Sequence, residues 1–172
     1  MSIVRRTQLI NDEYLKEYSL FPVNYDLRDI RNFIPLAEEL HVAPIIGQAL
    51  FDELIEQIEE DNISEENSTL LLEIYKVEGI AVLYESLPFV RSHVSQVGIT
   101  LGKSENSDSI SKEDLKVLQQ HLLSQLNTLK DGLIKFLNEN KEDYPLYEVP
   151  KPNTINKNYN LYTFKKRPID IL

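Results

Sequence analysis

IPLAEELHVAPIIGQALFDEL, residues 34–54, reads as a helix, a tight corner and a second helix, and the rest of the chain can be placed around it. Leu36, Ala37 and Leu40 share one face at helical spacing. Pro44 stands where a first-turn proline is tolerated, because the first N–H groups of a helix have no internal partner to lose; one helix stops and another starts there. Ile46, Leu50, Leu54 and Ile58 then recur every four residues as an apolar ridge. Gly47 follows the corner, where a missing Cβ lets a neighbouring backbone approach, at a cost of about 1 kcal/mol relative to alanine inside a helix.

Upstream, Thr7 to Tyr18 is a short peripheral helical candidate with Leu9, Ile10, Tyr14 and Leu15 as its apolar residues, closed by Pro22. Asp26 is placed to cap the next helix, and Pro35 requires that helix to begin near Asn32 or to kink. Downstream, Ser64 is the expected cap of a third helix, with Glu65 and Glu66 complementing the macrodipole. From Leu70 to Leu87 apolar residues lie almost all round, which predicts a buried central helix interrupted near its end by Pro88. Ser111, with Asp114 three residues on, is the expected cap of a last helix. Leu115, Leu118, Leu122, Leu126, Leu129, Leu133 and Phe136 make its single stripe. Between these two helices, VSQVGITLGKSENSDSI (94–110) alternates apolar with small and polar residues, as in an extended arm or hairpin, before an exposed loop.

The expected fold class is therefore mainly all-α: a small bundle of about four helices, residues 1–144, with the arm 94–110. A chain of 172 residues that is 42% apolar has room for one core. Residues 145–172 carry four prolines, which exclude regular structure, together with Tyr147, Tyr159, Tyr162, Phe164, Ile169 and Leu172, too apolar for an idle tail. At about 3.3 Å per residue such a tail reaches roughly 90 Å, so we expect an extended docking arm.

Several function classes find no residues to carry them. There is no run of eighteen apolar residues and no apolar leader at the start, so neither membrane insertion nor secretion is expected. With no cysteine there is no disulfide framework, thiolate metal site or cysteine nucleophile. A Gly-rich phosphate loop, a nucleophile elbow and an HExxH motif are missing. Glu38 and His41 have the Glu-x-x-His spacing of carboxylate-bridged di-iron bundles, but His93 and His121 are preceded at the matching position by Val90 and Leu118, leaving that constellation incomplete. No catalytic, cofactor-binding or metal residues are expected, and the protein is read as a non-enzyme.

The net charge of −10 is concentrated. Residues 38–75 hold eleven acidic side chains and no Lys or Arg, whereas residues 145–172 hold five basic and two acidic ones. A solvated helix face is the usual explanation. The alternative is that Asp52, Glu53, Glu56, Glu59, Glu60 and Asp61 face a basic partner, or a lumen whose negative wall does not grip nucleic acid. Val97, Ile99 and Leu101 of the arm, with Tyr147, Tyr159, Tyr162, Phe164, Ile169 and Leu172 of the tail, are the candidate partner-binding residues. Aromatics in an extended arm could stack on nucleic acid, but more often fill pockets on protein neighbours.

YLKEYSLFPVN near the start, FIPLAEELHVAPIIGQALFDEL, the long apolar helix followed by VGITLGKSEN, and the closing LIKFLNENKEDYPLY together resemble head–tail connector (adaptor) proteins of tailed phages. They look most like those of crAss-like phages infecting gut Bacteroides-type bacteria. The resemblance spans residues 7–147 and carries no catalytic signature. It implies a structural virion protein at the head–tail junction, made and assembled in the host cytoplasm, in a homo-oligomeric ring commonly of twelve copies. The implied partners are the portal protein and other connector or tail ring proteins, with genomic DNA passing through the lumen without sequence-specific binding. A cytoplasmic helical regulatory module docking through the same tail would instead be a monomer or dimer, and a carboxylate metalloenzyme would hold iron or manganese.

Overall fold

The computed structural model describes residues 7–21, 26–90, 92–95, 98–101 and 112–149. The chain is mainly helical, as the periodicity predicts. Helix α1 (Asp12–Tyr18) starts at Asn11, whose side chain accepts from Tyr14 N–H at 2.9 Å. It is shorter than the expected Thr7–Tyr18. Asp26 caps the 3₁₀ turn Leu27–Asp29 by accepting from Arg28 N–H, and a second turn, Arg31–Phe33, leads into α2 (Ile34–Ala37). Pro35 lies in the first turn of α2, so the helix starts at the proline instead of bending around it.

The corner expected at Pro44 is displaced. After α2 the chain widens into a π-helical turn, Glu38–Val42, then tightens again as α3 (Ala43–Ile46). Pro44 offers no N–H to the Leu40 carbonyl and its ring would press on it. The wide turn relieves both problems, because Ala43 N–H bonds to the Glu38 carbonyl, five residues back. The real break comes at Gly47, φ 84° and ψ 153°, a conformation open to glycine and strained for any L side chain. Its use here is conformational, since an added Cβ would meet its nearest heavy atom, Glu148 N, only at 3.9 Å.

The buried face of this segment also differs from the expected one. Ala37 is buried, but Leu36 and Leu40 are each 38% exposed, and the core-facing residues are Ile34, Ala37, Glu38, His41, Val42 and Ile45. A glutamate and a histidine on the inner side hide that face from a reading by polarity.

Helix α4 (Gln48–Glu59) buries Leu50, Phe51 and Leu54. A turn then leads to α5 (Glu65–Val90), capped by Ser64 Oγ, which accepts from Asn67 N–H at 3.1 Å. Helix α5 contacts α1, α2, the π turn and α6 (Lys112–Glu139), and is the central element. It runs through Pro88, which falls in its last turn. Gly79 allows its contact with α1: a Cβ there would lie 2.5 Å from the Tyr18 carbonyl oxygen. Helix α6 lays Leu122, Leu126, Leu133 and Leu137 against the core, with Lys130 buried on the same stripe. Strands β1 (Ser92–Ser95) and β2 (Gly98–Leu101) form an antiparallel hairpin in which Ser92 pairs with Leu101 and Val94 with Ile99.

Beyond α6 the chain turns back. Tyr144 and Tyr147 join the core, and Tyr144 Oη donates to the Glu66 carbonyl at 2.8 Å. The helical body therefore extends past residue 144. Tyr147, expected on the docking arm, is 3% exposed and packs in the core of its own chain.

Candidate functional site

Five ionisable side chains lie in the bundle in two groups, a relay of His41, Glu85 and Lys130 and a carboxylate pair, Glu38 and Glu78. Glu38 and His41 come from the π turn, Glu78 and Glu85 from α5, and Lys130 from α6. The π turn sets both of its residues inward within one short segment. His41 Nε2 lies 2.7 Å from Glu85 Oε1, and Lys130 Nζ lies 2.8 Å from His41 Nδ1. This geometry fits a neutral imidazole that donates through Nε2 to the carboxylate and accepts at Nδ1 from the ammonium. Burial, aided by the Lys130 charge, holds His41 below its ordinary pKa against the opposing pull of Glu85. Burial also lowers Lys130 to about 8, which leaves it charged at neutral pH, and Glu85 counters part of that shift.

The second half of the cluster is a carboxylate pair. Glu38 Oε1 accepts from the Leu9 backbone N–H at 2.7 Å, which ties the segment before α1 to the π turn. Glu78 is wholly buried, and neither of its oxygens has a hydrogen-bond partner among the described residues. Burial, and then the neighbouring Glu38 charge, push its pKa well above the usual carboxylate range, so Glu78 is held neutral. The Glu85–His41–Lys130 relay thus joins α5, the π turn and α6, whereas Glu78 adds no bond among the described residues.

Such a cluster fixes the relative placement of the π turn, α5 and α6, since an apolar contact alone permits slippage that a directional bond does not. None of these five side chains is among those that line the surface hollow of about 320 Å³ between α5 and α6, which are Leu20, Ile80, Ser124, Gln125, Thr128 and Leu129. Among the described residues no three His, Asp or Glu side chains are grouped as metal ligands. Glu38 and His41, which share the Glu-x-x-His spacing, point into different halves of the cluster. The spacing singled out these two residues, whereas Glu78, Glu85 and Lys130 match no motif and carried no signal.

The acidic candidates separate into two groups. Asp52, Glu56, Glu59, Glu60 and Asp61 are exposed along α4 and the turn after it. Glu53 is half-buried and internal: its Oε1 accepts from Gln57 Nε2 at 3.0 Å and from Asn67 Nδ2 at 2.9 Å, which pins α4 to the start of α5. Of the arm candidates, Ile99 and Leu101 fall on β2, opposite Val94 and Ser92. Val97, Tyr159, Tyr162, Phe164, Ile169 and Leu172 lie outside the described residues, as do Pro22 and the Ser111 cap.

A helical body with buried ionisable groups, an acid-rich helix and a two-stranded hairpin is the class that the geometry defines. The chain belongs to a family of unknown function, DUF6712, whose model matches residues 42–157, from the end of the π turn through α6. No curated protein and no solved structure matches it. No helix among the described residues is long and apolar enough to cross a membrane.

Proposed function

We propose that the protein is a structural subunit of a head–tail connector ring in a tailed phage, seated beneath the portal, with DNA passing through its lumen. The observation that carries this reading is the hairpin β1–β2, which among the described residues pairs only within itself and contacts mainly α5. A two-stranded hairpin is marginal by itself in water, and its unpaired edges invite association. A subunit keeps such an element when a neighbour covers it. The exposed acids of α4 support the same reading, since a negative wall repels phosphates, and the resemblance in the order of helices, hairpin and closing segment agrees with it.

Deleting residues 97–107 tests this. The variant is expected to keep the helical circular dichroism of the parent while losing incorporation into particles. Normal incorporation of the deletion variant would refute the role of the hairpin and with it the principal support for the ring.

A further inference from the structure

The segment that runs from α2 through the π turn to α3 is apolar on two sides. One side faces the core; on the other, Leu36 and Leu40 are both exposed and stand four residues apart, a spacing that brings side chains together on one face of a helix. At the far end of this row the ring of Phe33 lies 5.2 Å from that of Phe89, which is exposed as well. Large apolar side chains exposed side by side mark a surface that something covers. At the near end, just past α3, stands Gly47 with Glu148 against it: a Cβ on Gly47 would lie 3.9 Å from the Glu148 nitrogen. The chain therefore leaves the helical body at the end of the apolar row, with the exposed Val149 as its last described residue.

We propose that residues 150–164 of the same chain run back from Gly47 along the outer side of α3, the π turn and α2, and cover Leu36 and Leu40 in the free subunit. This goes beyond the ring reading and does not rest on it.

Reach selects the chain's own tail. At a helical rise of about 1.5 Å per residue, Leu40 lies about 10 Å, Leu36 about 16 Å and Phe33 about 21 Å from Gly47. Ile155, six residues past Val149, reaches up to about 20 Å, and Tyr159, ten past, up to about 33 Å. Ile155 thus spans to the two leucines and Tyr159 to the Phe33–Phe89 pair. Pro150 and Pro152 fix their own φ and disfavour helix in the residues before them, which suits a segment that must run outward along a surface. A tether this short holds the segment at an effective concentration on the order of mM, which a second copy in dilute solution does not match. Charge agrees with the placement. Glu39 is exposed between the two leucines, and Lys151 and Lys157 stand on either side of Ile155.

The absence of cysteine lets introduced pairs be read without background. Full-length Leu40→Cys/Ile155→Cys is oxidised at concentrations where sedimentation shows a monomer. The control pair is Asp52→Cys/Ile155→Cys: Asp52 is exposed and nearer in sequence to Gly47 than Leu40 is, so a loose tether would favour it. The disulfide within single chains is expected to form at least tenfold faster in the Leu40 pair. In full-length Leu36→Ser/Leu40→Ser, whose helical circular dichroism should match the parent because both positions are exposed, trypsin is expected to cut after Lys157 at least tenfold faster than in the parent. Equal rates for the two cysteine pairs, or equal cleavage of the two proteins, would overturn the docking. Linkage between separate chains carrying Leu40→Cys and Ile155→Cys, one of them size-tagged, that forms as readily as linkage within one chain would overturn the choice of the chain's own tail. All of these readouts are taken on the monomer, so they leave the ring reading to its own assembly test.

Discussion

Gly79 and Gly132 both sit inside long helices, and the same substitution should act on them in opposite directions. A Cβ at Gly79 meets the Tyr18 carbonyl oxygen at 2.5 Å and the Ser19 nitrogen at 3.0 Å, backbone atoms that cannot turn aside, so α1 must move off α5. Gly79→Ala is expected to lower stability by about 1–3 kcal/mol, the usual cost of overpacking. Gly132 has nothing within 4 Å, and Gly132→Ala should raise stability by about 0.5–1 kcal/mol through backbone entropy. Urea titrations of the two variants read both effects. Glu78 gives a prediction in pH. Its folded pKa is raised above the unfolded value, so the stability it contributes is complete below about 4.5 and is lost as pH rises towards the folded pKa. Glu78→Gln, which cannot ionise, should therefore be more stable than the parent at pH 7.5, with the difference shrinking as pH approaches 4. A difference that stays constant across that range would show Glu78 to be ionised in the fold. His41 acts in the opposite sense: its lowered folded pKa makes stability fall as pH drops below about 6.5.

At the scale of elements, α4 carries two kinds of acid that the sequence does not distinguish. Glu53 holds the buried Asn67 amide, so Glu53→Ala leaves that amide without its acceptor and should cost about 1–3 kcal/mol. Glu56→Ala, on the exposed side, should change stability by no more than about 0.5 kcal/mol. Thermal melts of the pair separate a tether from a surface charge. The same distinction sets how much of the molecule was legible beforehand. The long helices, the Ser64 cap, the Asp26 cap and the strand character after α5 follow from spacing and local chemistry, which are properties of neighbours in sequence. The π turn does not, because it answers a strain at Pro44 by opening the turn before it and placing Glu38 and His41 on the inner face. Lys130 was hidden for a related reason: its charge is compensated by residues 45 and 89 positions away, Glu85 through His41. Tyr147 was misplaced because the flanking prolines mark irregular chain correctly, yet irregular chain can still turn back onto a core.

At the scale of the whole molecule, charge and apolar surface are set apart from the bundle. The exposed acids of α4 and the turn after it carry much of the net charge of −10, while residues 145–172 are basic, so in the proposed ring unlike regions of neighbouring copies would attract. Self-association should weaken as salt rises from 0.05 to 0.5 M, but only in part, because exposed charge pairs are screened and strand pairing or apolar burial is not. Sedimentation at several salt concentrations would show this as a partial shift towards the monomer. The most direct test of the connector reading is electron microscopy of the full-length protein mixed with the portal protein. The account predicts closed rings of this chain, commonly of twelve copies, stacked coaxially beneath the portal with the acidic helix on the lumen or against the neighbouring ring. Monomers or dimers that leave the portal bare at every concentration would contradict it.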